Sequence, residues 1–168
     1  WSPVVGAGEL GTGDIGTNLI SVSGSESSAA LMVMCKDSVW VLYGNTSLDW
    51  DFKKISEQAG GQRYSAQEMG APIAFDREGF TKYTPTQSFG NFSYESASRA
   101  VVPLLSGAAV KTSVLVSNKA KYRCFFADGI FMTGTPVKGG MGWMACDYGR
   151  VIECAVGAEI DNEYRIFY

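Results

Sequence analysis

Short apolar runs, rich in β-branched and aromatic residues, recur along this chain at close intervals. Residues 38–43 (SVWVLY), 122–126 (YRCFF), 130–132 (IFM), 151–156 (VIECAV) and 164–168 (YRIFY) each predict a strand. Turn-forming residues separate them: Lys36-Asp37-Ser38, Asp76-Arg77-Glu78-Gly79, Asp128-Gly129, Lys138-Gly139-Gly140 and Asp161-Asn162-Glu163. Only residues 47–58 (SLDWDFKKISEQ) read as a short helix, capped by Ser47 or Asp49. Even there, alternation through Trp50, Phe52 and Ile55 fits a strand nearly as well. The pattern predicts an all-β chain with short connections.

The runs also repeat as a unit: an apolar strand, a tight turn with Asp, then a second strand. The unit appears at 31–44 (LMVMCKDSVWVLYG), 71–83 (APIAFDREGFTKY), 122–134 (YRCFFADGIFMTG) and, cut short, 151–168 (VIECAVGAEIDNEYRIFY). Its aspartates, Asp37, Asp76, Asp128 and Asp161, stand 39, 52 and 33 positions apart. The mean is close to the ~40–45 residues of a four-stranded propeller blade. The fold expected is a propeller-like array of antiparallel blades, incomplete within these residues; a β-sandwich or barrel is the alternative. A glycine- and serine-rich segment, residues 1–30, leads into one β domain, residues 31–168. The apolar strand at the end predicts that this domain continues beyond residue 168.

Composition narrows the chemistry. The 168 residues carry a net charge of −3, which gives no basic face for gripping phosphates. There is no histidine, which removes Ser-His-Asp and Cys-His catalysis and His-ligated zinc. Cys35, Cys124, Cys146 and Cys154 lack CxxC spacing and lie in apolar or strand-like runs, so buried free thiols are expected, with a disulfide pair as the alternative. No apolar run approaches the ~20 residues of a spanning helix, and no stretch reads as a signal peptide. The sequons at Asn45 and Asn91 are discounted on that basis.

Four candidate chemistries arise from the residues. Residues 6–11 (GAGELG) fit the GxGxxG dinucleotide pattern. The pattern needs a buried strand before it and a helix after it, but Pro3 breaks the first and Thr12-Gly13-Asp14-Ile15-Gly16-Thr17 disfavours the second. Glu26, the acid nearest the ribose-binding position, lies in a serine run, so the glycines read as loop geometry. Asp49 with Asp51, and Glu159 with Asp161, are paired carboxylates that a glycosidase could use only across a cleft; they read as solvated acids beside turns. Asp49-Trp50-Asp51 lacks the ligand series of a calcium loop. Trp40, Trp50, Trp143, Tyr43, Phe125 and Phe126 fall on strand positions and read as core, with a sugar-stacking platform as the competing role. Met32 and Met34 read as core, and Met141 and Met144, flanking Trp143, as cover for an edge. No catalytic, cofactor-binding or metal-ligating residue is assigned.

Several strings carry a resemblance. VWVLYG, residues 61–76 (GQRYSAQEMGAPIAFD) with Glu78-Gly79, residues 89–92 (FGNF), and YRCFFADG followed by Cys146-Asp147-Tyr148-Gly149-Arg150 resemble the β-propeller-bearing tube, nozzle or hub proteins of short-tailed bacteriophage tails. The resemblance covers residues 31–168 and includes no functional residue that can be carried over. It implies a non-enzymatic subunit, assembled in the host cytoplasm, whose copies form a ring in the virion tail around the channel for genome ejection. Its partners would be itself, other tail proteins and DNA in passage, without a cofactor. An acidic chain can line such a channel because like charge repels the phosphate backbone. The alternatives are a carbohydrate- or receptor-binding β module and, behind it, a carboxylate-only glycosidase.

Overall fold

The structure is a computed structural model that describes residues 13–23, 29–44, 46, 48–85 and 92–168. Four antiparallel sheets follow one another along the chain, and strands consecutive in sequence are neighbours in each. The first sheet holds β1 (Gly16–Ser23), β2 (Ala29–Cys35), β3 (Val39–Tyr43) and β4 (Asp51–Ser56). The second holds β5 (Gln67–Glu68), β6 (Pro72–Asp76), β7 (Gly79–Pro85) and β8 (Phe92–Ser96). The third holds β9 (Val110–Val116), β10 (Lys121–Phe126), β11 (Ile130–Val137) and β12 (Gly140–Asp147). A hairpin of β13 (Val156–Ile160) and β14 (Glu163–Phe167) completes the described set. The chain is all-β, and no sheet closes into a barrel among the described residues.

Two local expectations are corrected. The segment read as a short helix is strand β4, because Phe52 pairs opposite Leu42 and its ring stacks on Trp40 at 4.9 Å. That cross-strand aromatic contact outweighs weak local helix propensity. The strand expected over 151–156 is also displaced, since only Val156 enters a strand. Ile152 instead turns into the core against Val114 and Phe125, so this stretch serves packing in place of pairing. Strand β1 lies within the glycine- and serine-rich segment 1–30, anchored by buried Ile20 and Val22.

Alternation along each strand explains how the sheets stack. In β6 all five residues are buried, which requires a neighbour on both faces. Ala74, with Tyr83 and Phe92, packs against Met32, Met34, Val39 and Val41 of the first sheet. Ile73 and Phe75, with Phe80, point the other way, onto Tyr122, Cys124, Phe126 and Met132 of the third. Phe125, one residue out of phase with Cys124, joins Val114 and Phe131 against Ile152 and Ile166 near the hairpin. Each inner sheet therefore has one face for the sheet before it and one for the sheet after it. A two-layer sandwich gives a sheet only one covered face; propeller blades are covered on both.

The sheets meet most closely along their first strands. β1 approaches β5, β5 approaches β9, and β9 approaches β13. First strands begin at Gly16, Gln67, Val110 and Val156, separations of 51, 43 and 46 residues. This is the blade repeat expressed in structurally equivalent positions. The stack is a fan of blades hinged on one side.

Candidate functional site

A first strand exposes a row of backbone N–H and C=O groups along its outer edge, a template for unwanted pairing. Here the adjoining sheet or loop supplies side chains that occupy it. The Gln62 side-chain amide donates to the Ala108 carbonyl at 3.1 Å and accepts from the Val110 amide at 3.0 Å. Gln67 donates to the Ser113 carbonyl at 3.2 Å, and the Ser113 hydroxyl donates to the Tyr64 carbonyl at 2.6 Å. Asn18 donates to the Gln62 carbonyl at 2.8 Å, and Tyr164 donates its hydroxyl to the Leu115 carbonyl. The fan is thus stitched from the first sheet to the last hairpin on its narrow side.

Deeper in, buried phenols tie one sheet to the loop of another. Tyr122 donates to the Ser65 carbonyl at 2.6 Å and Tyr83 to the Gly60 carbonyl at 3.1 Å. Burial pushes both phenols well above their ordinary pKa, so they stay neutral donors across the physiological range. The same burial pushes the Cys124 thiol up to about 12. Cys35 is also a buried free thiol, whereas Cys146 is half-buried and Cys154 exposed, contrary to the expectation of four buried thiols. Cys154 escapes because the stretch around it turns Ile152 inward instead of forming a strand.

The carboxylates weighed for catalysis do not converge on a cleft. Asp49 accepts from the amide and hydroxyl of Thr46 at 2.7 and 2.8 Å, a local turn, while Asp51 pairs with Lys53 at 2.8 Å. Glu159 and Asp161 are exposed, and Asp161 with Asn162 forms the hairpin turn with both φ angles positive, at 54° and 62°. The two acids that burial shifts upward are Glu68 and Asp76. Glu68 sits opposite Pro72 at one end of β6, and Asp76 is the residue at the other end. Four strand steps place them about 13 Å apart, beyond the roughly 5–10 Å over which paired carboxyls act on one glycosidic bond. Sequence reasoning named Asp76 only as a turn residue and did not single out Glu68, because burial of a carboxylate leaves no local pattern.

The aromatic candidates divide. Phe125 and Phe126 are buried, Tyr43 packs at the edge of the first core cluster, and Met32 and Met34 are fully buried. Trp143 stacks on Phe80 at 4.1 Å and donates its indole N–H to the Ala97 carbonyl. That fixes it as an inter-sheet wedge, with Met141 beside it and Met144 exposed. Trp50 is exposed, and Trp40 is half-buried, stacked on Phe52.

A cavity of about 650 Å³ opens between the turns of the first two sheets and the start of β9, lined in part by Lys36, Asp37, Gln62, Arg63, Asp76 and Arg77. Within it Arg77 pairs with Asp37 at 3.5 Å, and the Asp76 carboxylate accepts from the Thr81 hydroxyl and the Glu78 amide, both at 2.7 Å. No group of three or more His, Cys, Asp or Glu side chains capable of holding a metal occurs among the described residues. The glycine motif at 6–11 and Glu26 lie outside the described residues, as do Asn45 and Asn91.

What remains is at the two ends of the stack. The face of the first sheet turned away from the second carries Leu19, Leu31, Val33, Trp40, Leu42 and Phe52, opposite one another across the strands. Leu19 is 68% exposed and the other five are half-buried. At the far end, Val156, Ile160 and Phe167 of the hairpin point away from the third sheet and are exposed. No helix among the described residues is long and apolar enough to cross a membrane. No family model matches the chain, and no curated protein matches it.

Proposed function

We propose that this chain is a non-enzymatic structural subunit of a short-tailed bacteriophage tail, whose copies form a ring around the channel through which DNA leaves. The observation that supports this reading is the stack itself. Successive four-stranded sheets pack aromatic residues such as Phe75, Phe80 and Tyr122 against each other, and among the described residues further apolar side chains lie on the faces at the two ends of the stack. Such a body offers apolar surfaces to neighbours. A net charge of −3 lets DNA pass nearby without releasing counterions, so the passage does not trap it. Its place would be the virion tail, reached by assembly in the host cytoplasm with other tail proteins.

Electron microscopy of the purified chain tests the reading. Rings with a central opening are the expected result. A monomer at every concentration, or hydrolysis of a glycan lost on Asp49→Ala or Asp51→Ala, would contradict it. Binding to a sugar array abolished by Trp50→Ala would move the chain to the carbohydrate-recognition class.

A further inference from the structure

We infer that the cavity between the turns of the first two sheets and the start of β9 binds a small phosphomonoester on a hydroxyl-bearing body, a sugar phosphate or a mononucleotide. The inference goes beyond the scaffold reading and does not depend on it. The chain as a whole has no basic face, yet the fold gathers Lys36, Arg63 and Arg77 around one opening, from positions 27 and 14 apart. At about 650 Å³ the cavity has the volume of a small-molecule site. Its walls belong to three successive sheets, so it is a feature of their junction and of neither end face. The three cations differ. Arg77 is held by Asp37 at 3.5 Å, whereas no carboxylate among the described residues forms an ion pair with Lys36 or Arg63. Lys36 lies near enough to Asp14 to favour its charged form, and the Asp14 oxygens accept from the Ile15 and Asp37 amides and the Ser38 hydroxyl. Two cations at one opening complement a phosphoryl dianion, and the guanidinium fork matches its oxygens. Asp37, half-buried beside them, keeps lone pairs for a ligand hydroxyl.

The loop that carries Arg63 is held from all three sheets. The Gly60 carbonyl accepts from Tyr83, and the Gly61 amide donates to the Cys35 carbonyl at 2.9 Å. The Gln62 amide donates to the Phe75 carbonyl at 2.6 Å while its side chain spans Ala108 and Val110. Ser113 holds the Tyr64 carbonyl and Tyr122 that of Ser65. Within residues 60–65 only Arg63 and Tyr64 are exposed. Tyr64 has a φ of 62°, a left-handed conformation that a bulky side chain rarely takes. Such a conformation persists where its surroundings over-determine it, and it collects at ligand-holding loops. A guanidinium projecting from so constrained a turn loses little freedom when it binds an anion.

Isothermal titration calorimetry of the whole chain tests this, with ribose 5-phosphate and adenosine monophosphate as probes and ribose, inorganic phosphate and succinate as comparisons. Both phosphomonoesters are expected to bind, and the tighter of the two says whether the body is a sugar or a nucleoside. Arg63→Gln and Lys36→Gln should each weaken binding by about tenfold or more, because each removes a charge-assisted contact. Both side chains are on exposed residues, so an unchanged thermal melt is expected and would show that the fold is retained. Lys138→Gln, on the β11–β12 turn outside the cavity, should leave binding unchanged. An equal loss on Lys138→Gln would overturn the proposal in favour of non-specific attraction. Ribose binding as tightly as ribose 5-phosphate would overturn the phosphoryl contact. Inorganic phosphate binding as tightly would overturn the organic body and leave a bare anion. Succinate binding as tightly would move the site to carboxylates. No heat with either phosphomonoester up to millimolar concentration would overturn the site outright. Each of these failures leaves the ring reading as it stands, since electron microscopy of rings does not involve the cavity.

Discussion

At the scale of single residues, the stack depends on a few close approaches that a side chain would spoil. Gly60 lies against the turn between β2 and β3, where an added Cβ would sit 2.3 Å from the Lys36 carbonyl oxygen and 2.6 Å from that of Cys35. Both neighbours are backbone, so neither can swing aside. Gly60→Ala should cost about 1–3 kcal/mol, read as a lower urea midpoint with an unchanged slope. Asp14 braces the same turn from outside. Burial pushes its carboxyl up, but hydrogen bonds from the Asp37 and Ile15 amides and the Ser38 hydroxyl, with Lys36 nearby, more than offset this and hold its pKa down. A carboxylate whose folded pKa is depressed adds stability above its unfolded pKa, and loses it as pH falls through the folded value. Asp14→Asn should therefore lower Tm at pH 7, with a deficit that shrinks as pH drops below about 3.9, the unperturbed Asp value. A pH series of thermal melts on both proteins measures this, and a deficit constant down to acid pH would contradict it.

At the scale of elements, the polar seam decides how one sheet meets the next. Gln62→Leu keeps the side chain's bulk but leaves the Val110 amide and the Ala108 carbonyl without their partner. A loss of about 1–3 kcal/mol is expected, with faster hydrogen exchange at Val110 than in strand β10. The strands of the repeat unit, such as β3, β10 and β14, were legible because SVWVLY, YRCFF and YRIFY spend β-branched and aromatic residues where a pleated, buried surface wants them, whereas β1, β5, β8, β9 and β12 were not named. The repeat was legible only in blurred form. Asp37, Asp76 and Asp128 sit at or beside the second-to-third strand turn of their sheets, whereas Asp161 occupies the first-to-second turn of the last. Mixing two kinds of turn produced the irregular spacing, and first-strand starts give a steadier one. Gln62, Gln67, Ser65 and Ser113 carried no signal, since single polar residues become a seam only when distant strands are brought together. The two end faces were hidden for the same reason, because alternation shows that a strand has two sides but not what lies against each.

At the scale of the whole molecule, the sheets meet along a shared edge of first strands and hold together through aromatic faces. Phe75, 2% exposed between Phe80 and Phe126, is the hinge of that packing. Phe75→Ala should cost about 3–5 kcal/mol and unfold the second and third sheets together. The fan differs from a parallel stack in one measurable way. In a stack of flat layers about 10 Å apart, strands on either flank of two sheets would be equally separated. Spin-label distances in a protein lacking Cys146 and Cys154 compare the flanks directly: Ser21 with Lys111 on the first strands, against Lys53 with Met144 on the last. A Lys53–Met144 distance clearly longer than the Ser21–Lys111 distance is the predicted result; equal distances would contradict the blade arrangement, and with it the scaffold built on it.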